Sequence, residues 1–153
     1  MARIDDIPQA TRDAVLALAS PELPGQPWVA TKPLAQCRIA ILSSAALHRR
    51  SEMPFAAGTA EFRELPADLP AAEIAMSHIS INFDRAGFER DINVAYPIDR
   101  LKELAADGTI GSVAKTHYSV MGSTDPATMA ETADALVGRL QQARVDAVLL
   151  APV

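Results

Sequence analysis

The sequence is poor in several things at once. Among 153 residues there is one cysteine, Cys37. One thiol cannot close a disulfide within the chain or build a thiolate zinc cluster, and it fits a reducing compartment, so the cytoplasm is the expected location. Basic charge is short: 14 Lys and Arg stand against 19 Asp and Glu, a formal net charge of −5. A phosphate-tracking surface needs a basic surplus, so no nucleic-acid partner is expected. No apolar run approaches the ~18 residues of a membrane-spanning helix, and no membrane partner is expected. The N-terminus, MARIDDIPQATRDAV, carries three Asp and lacks the apolar stretch of a signal peptide. Aromatic residues make up only 5%, so Ala, Val, Ile and Leu must fill the core. There is no GxGxxG, no P-loop and no GxSxG elbow, which leaves nucleotide binding and serine hydrolysis without motif support.

What is present indicates a globular α/β protein. Apolar residues reach 49% and charged ones 22%, and the length suits one domain. The first 36 residues stand apart. Residues 11–19 can form a short helix, and Pro21, Pro24, Pro27 and Pro33 then enforce an extended arm. Trp28 in this arm either pins it to the domain surface or walls a pocket. From residue 37 onward strands and helices alternate. Strands are expected at 37–44, 60–65, 73–79, 110–119 and 145–151, and helices at 97–107 and 126–143. Ile98, Leu101, Leu104 and Ala105 form one face of the first of these helices. Met129, Ala133, Leu136, Val137 and Leu140 form one face of the second. Such alternation predicts a three-layer α/β/α domain over 37–153 with a mostly parallel sheet, flavodoxin-like or Rossmann-like. The apolar strand 145–151 has no helix after it to cover it. Either another subunit covers it, as in a homo-oligomer, or the last part of the domain is missing.

In an open parallel sheet the carboxyl ends of the strands share one edge, where ligands bind. His48, His78 and His117 all follow or end expected strands, so the reading places them together there. The competing reading is three unrelated loop histidines. Spacings of 30 and 39 residues offer no metal motif, and no metal is expected; acid–base work suits imidazole better. Ser43 and Ser44 lie at the same edge. The polar segment 77–93 adds Asn82, Asp84, Asp91 and Asn93, with Asp84 and Asp91 placed to orient a histidine or bind an ammonium group. Arg49 and Arg50 form either a surface basic cluster or a carboxylate site. Gly122, Ser123 and Thr124 precede the long helix and offer an anion-binding terminus. Cys37 begins a buried strand at the opposite edge and reads as a small core residue.

Three runs carry a resemblance: SSAALHRR (43–50), SHISINFDRAGFERDINVAYPIDRLKELAADGTIGSVAKTHYSVMGSTDP (77–126) and VDAVLLAPV (145–153). They closely resemble the selenoprotein B family of glycine, sarcosine, betaine and D-proline reductases, in particular its short stand-alone bacterial members. The resemblance covers about residues 37–153 and implies an oxidoreductase that reductively cleaves a C–N bond. In the family a selenolate attacks the substrate's α-carbon, a thiol system resolves the product, and in the larger reductases a partner subunit supplies a pyruvoyl group. The family segment matching VLLAPV is followed by selenocysteine, or sometimes cysteine, in a U-x-x-C pattern. The resemblance therefore implies that this sequence stops one residue short of its nucleophile, at a UGA codon, and is inactive as it stands.

On the same grounds His48, His78, Asp84 and His117 are expected to surround that nucleophile as catalytic groups. Ser43, Ser44, Arg49, Asn82, Asp91 and Asn93 are the expected substrate-binding set. No cofactor is expected in this chain beyond the selenocysteine of a full-length protein. The expected partners are a small-molecule substrate and a thiol reductant or redox protein. The alternative is a non-catalytic module that binds a small anion or a metal, or a subunit that acts only within a complex.

Overall fold

A computed structural model describes residues 4–17, 25, 29–80 and 85–153. Trp28, Asn82 and Asp84 lie outside the described residues. In chain order the strands are β1 (Arg38–Ser43), β2 (Leu47–Arg49), β3 (Phe62–Pro66), β4 (Ile74–Met76), β5 (Ser112–Val113), β6 (Thr116–Val120) and β7 (Ala147–Ala151). The helices are α1 (Gln9–Leu16), α2 (Arg85–Arg90), α3 (Ile98–Ala106) and α4 (Ala130–Gln142).

The sheet is organised around β1. Its sequence RIAILS is apolar on both faces, as a strand covered from both sides requires. Parallel pairing with β7 runs from Ile39↔Ala147 to Ser43↔Ala151. The other edge of β1 pairs in parallel first with β5 and then with β6. Ile39 faces Val113 but Leu42 faces Tyr118, so the second strand carries two extra residues over this interval. The expected strand 110–119 is thus broken by a bulge at Ala114 and Lys115.

The expected parallel arrangement needs two corrections. β3 lies antiparallel on the outside of β6, from Phe62↔Val120 to Pro66↔Thr116. The expected strand 73–79 shrinks to β4 and leaves the main sheet, pairing antiparallel with β2. The cause is a tight reversal after β1. Ala46 adopts φ 53, its amide donates to the Val120 carbonyl (2.9 Å), and its carbonyl accepts from the Ser77 amide (3.1 Å). The chain therefore folds back over the sheet, and β4 follows it. A left-handed alanine costs about 1–2 kcal/mol, and the dipeptide Ala45-Ala46 does not announce it.

Helices lie on both faces of the mostly parallel sheet, giving the three-layer α/β architecture. One face packs Ile39, Ile41 and Leu65 against Ile98 and Leu101 of α3. Leu104, expected on the same stripe, stays 38% exposed. α4 is preceded by a 3-10 turn, Pro126–Thr128, whose start is capped by the Asp125 carboxylate accepting from the Ala127 amide. Of its expected apolar face only Leu136 is buried, and Val137 is half exposed, so this layer covers the sheet thinly. α2 falls in the polar segment 77–93, where amphipathic spacing is too short to read. Among the described residues no helix is long and apolar enough to cross a membrane.

Candidate functional site

The carboxyl ends of β1, β6 and β7 meet at one edge, and hydroxyl groups tie them together. Ser43 Oγ donates to the Ala95 carbonyl (2.8 Å) and accepts from the Ala45 amide (3.2 Å). Ser119 Oγ donates to the Ser43 carbonyl (3.0 Å) and accepts from the Leu47 amide (2.8 Å). Both serines are fully buried. Their hydroxyls replace backbone partners where the strands end and the chain reverses.

Ser44 faces the end of β7. Its amide donates to the Ala151 carbonyl (3.1 Å), and its Oγ accepts from the Val153 amide (2.8 Å). Gly122 closes in from β6: its amide donates to the Ser44 carbonyl at 2.9 Å. A Cβ there would stand 2.7 Å from that carbonyl oxygen, so the approach demands glycine. Ser44, Gly122 and Val153 thereby form one junction. Beside it a shallow apolar hollow of about 150 Å³ is lined by Leu42, Val120 and Leu150 among others.

The three histidines occupy three different environments. His48 is central in β2, buried, with Nδ1 2.7 Å from the Arg49 carbonyl. Its ring meets Phe55 edge-on at 6.4 Å, and the Arg63 guanidinium lies 4.7 Å over the other ring. His78 follows β4; its Nδ1 accepts from the Ser80 amide, and its carbonyl accepts from Arg85. Burial, followed by the Arg85 charge, lowers its pKa. His117 sits inside the sheet rather than at its end. Its Nδ1 accepts the Ile41 amide at 2.9 Å, filling the backbone gap that the bulge opens. Its ring meets Tyr96 edge-on at 5.6 Å. Burial, with the Lys102 charge second, pulls its pKa down to about 4. Neither His117 Nε2 nor Tyr96 Oη has a hydrogen-bond partner among the described residues, and burial raises the Tyr96 pKa well above its ordinary value.

The remaining expected residues have protein partners. Arg49 Nε stands 3.9 Å from Glu52, while Arg50 donates to the Ala72 and Ile74 carbonyls. Asp91 accepts from the Asn93 side-chain Nδ2 (2.8 Å) and from its backbone amide (2.9 Å), and these bonds, the side-chain one first, lower its pKa. Asn93 Oδ1 accepts from the Asp99 amide (3.0 Å), so it caps α3 from outside. The Gly122 and Thr124 donors are occupied too, since the Gly122 amide donates to Ser44, the Thr124 amide to Met121 and the Thr124 hydroxyl to the Thr59 carbonyl. Among the described residues no group of three or more His, Cys, Asp or Glu side chains could hold a metal ion. Cys37 is buried, its thiol 3.3 Å from the Lys32 carbonyl.

Sequence reasoning did not single out Ser119, Ala46, Phe55 or Tyr96. Tyr96 had a readable signal: it stands just before Pro97, five positions ahead of Leu101 in the first turns of α3. Both join the same core cluster, in the manner of a hydrophobic staple.

Fold and site define an α/β chain whose central strands converge on a serine- and glycine-clamped edge. The family described as glycine/sarcosine/betaine reductase selenoprotein B matches residues 64–153, and the chain belongs to that family. The D-proline reductase subunit gamma of Acetoanaerobium sticklandii is 31% identical over 134 residues, covering 85% of this chain and 54% of that protein. The betaine reductase complex component B subunit beta of Peptoclostridium acidaminophilum is 37% identical over 73 residues, covering 47% of this chain and 17% of that protein. The chain thus spans about half the length of the first relative and less of the second. No solved structure matches.

Proposed function

We propose that this chain is a subunit of a selenol- or thiol-dependent reductase that cleaves a C–N bond in a glycine, sarcosine, betaine or D-proline type substrate. In this reading the reactive residue follows Val153. The observation that carries it is the Ser44 Oγ contact with the Val153 amide at 2.8 Å. Together with the parallel β1–β7 pairing, it holds Val153 beside the carboxyl end of β1. The names of both relatives support a subunit of a reductase complex.

The chemistry attributed to the selenol or thiol is attack on the carbon bearing the amine. The bond to that carbon forms as the C–N bond breaks and the amine leaves with a proton. A dithiol donor then supplies two electrons: its first thiol takes the selenium or sulfur while the carbon departs with a proton, and its second thiol frees the nucleophile as the donor closes to a disulfide. His48 and His78 are the proposed proton-handling groups, with Asp84 as their carboxylate partner. His117, through Ile41, holds β1 in place. Arg49 would exchange Glu52 for a substrate carboxylate. An exposed pair of this kind is worth only about 0–1 kcal/mol, so the exchange is cheap. Ser43, Asn82, Asp91 and Asn93 complete the proposed binding set. The partners of this reading are the amino-acid substrate, a thiol reductant or redox protein, and the other subunits of a complex in the cytoplasm.

The test is an assay of the full-length, selenium- or cysteine-containing protein with its complex partners and a dithiol. C–N cleavage of one of the four substrates that falls at least tenfold in His48→Ala or His78→Ala supports the reading. Cleavage unaffected by either substitution removes these residues from it, and cleavage of none of the four substrates removes the function.

A further inference from the structure

The amino edge of the sheet, opposite the Ser44–Gly122–Val153 junction, holds a cleft that the reductase reading does not use. It encloses about 680 Å³ and is lined by Arg38, Ser112, Lys115, Thr116, Gln142 and Arg144, among others. That volume lies within the ~300–1,000 Å³ range of small-molecule sites. Three cations converge here in a chain of net charge −5, and no carboxylate lines the cleft. The nearby Asp146 is already engaged by Lys32 Nζ (2.9 Å) and the Arg38 amide (2.7 Å).

The donors are mostly unspent. Arg38 Nη1 donates to the Ala143 carbonyl at 2.8 Å. Among the described residues Lys115 and Arg144 form no ion pair, and the Ser112, Thr116 and Gln142 side chains form no hydrogen bond. Two local irregularities bring these groups here. The two-residue bulge between β5 and β6 presents Lys115. The turn ending α4 puts Arg144 at φ 54, with its amide donating to Gln141 and the Val145 amide to Leu140. That turn position ordinarily belongs to glycine. A strained non-glycine residue in a cleft points to use of its side chain.

We propose that this cleft binds a multivalent oxyanion of the phosphate or polycarboxylate class. Two guanidinium groups, an ammonium, two hydroxyls and an amide supply donors around it; the carbonyls that end α4 oppose the anion, and Arg38 already covers one of them. Guanidinium groups match tetrahedral and planar oxyanions through paired donors.

The experiment is calorimetric titration of the chain with inorganic phosphate, pyrophosphate and citrate at constant ionic strength. A parallel titration uses Lys115→Gln/Arg144→Asn, in which asparagine keeps the left-handed turn. The expected result is saturable binding of at least one anion, weakened about tenfold or more in the double variant. Preference for pyrophosphate over citrate assigns the phosphate class, and the reverse assigns polycarboxylates. Absence of saturable binding to the parent chain, or equal affinity in the double variant, overturns the proposal. Should the double variant fail to fold, Ser112→Ala and Lys115→Gln are titrated singly by the same criterion.

Discussion

The Ile41 amide donates to Nδ1 of His117 across 2.9 Å in a fully buried setting. An N–H donor at Nδ1 places the proton of the neutral ring on Nε2. The bond also explains why a histidine stands in mid-sheet. Two extra residues between β5 and β6 leave the Ile41 N–H without a strand carbonyl, and the imidazole substitutes for it. Replacing His117 by Ala leaves that amide unsatisfied in the core and opens a cavity. The expected loss of stability is about 2–4 kcal/mol by denaturant unfolding.

The same bond gives a pH dependence. His117 is neutral in the folded chain down to about pH 4, against an ordinary histidine value near 6.5. Below 6.5 the unfolded chain takes up a proton that the folded chain refuses. Stability is therefore full above about pH 6.5 and falls as the pH drops toward 4, by on the order of 3 kcal/mol. The lowered pKa of His78 acts in the same direction. Unfolding free energies measured between pH 7 and 4 should show this decline, and His117→Gln should flatten most of it.

The junction at the carboxyl edge makes a different prediction. Ser44→Ala removes the acceptor of the Val153 amide, at an expected cost of about 1 kcal/mol. Gly122→Ala forces a methyl group to within 2.7 Å of a backbone oxygen and should cost about 1–3 kcal/mol. Because the Ser44 variant alters placement rather than chemistry, its effect in the full-length complex should fall on kcat more than on KM.

Asn93 separates binding from structure. Its Oδ1 accepts from the Asp99 amide, where Pro97 offers no side-chain cap to α3. Asn93→Ala should lower stability by about 1 kcal/mol. A substrate-binding role would instead appear as a raised KM with unchanged melting temperature.

Cys37 should be inert in the native chain. It is fully buried, and its sulfur lies 3.3–3.5 Å from the Lys32 and Pro33 carbonyls and the Thr31 hydroxyl. Alkylation should require unfolding, so at fixed pH its rate should rise with denaturant.

Much of this was legible because β1, β7 and α3 announce themselves. RIAILS and AVLLA are apolar without a helical period, and α3 has an amphipathic face closed by Gly108. What escaped depends on long-range backbone geometry. The left-handed Ala46 turns β2 back across the sheet, and this moves His48 and β4 off the parallel edge that strand spacing implied. His117 was read as an edge group because the bulge that draws it inward has no local signature in IGSVAKTHYS. The capping contact of Asn93 was not legible because its partner, Asp99, lies six positions onward, outside the usual capping spacing. The edge position of Ser43 and Ser44 is legible from strand spacing, whereas the backbone groups their hydroxyls bind are not.

The central claim is that the carboxyl edge serves a selenol or thiol that cleaves a C–N bond. The most direct measurement is dithiol-dependent product formation by the full-length protein in its complex, before and after alkylation with iodoacetamide, across glycine, sarcosine, betaine and D-proline. The account expects cleavage of one substrate, abolished by alkylation at a residue directly after Val153. Cleavage that survives complete alkylation of that residue, or cleavage of none of the four substrates, would contradict it.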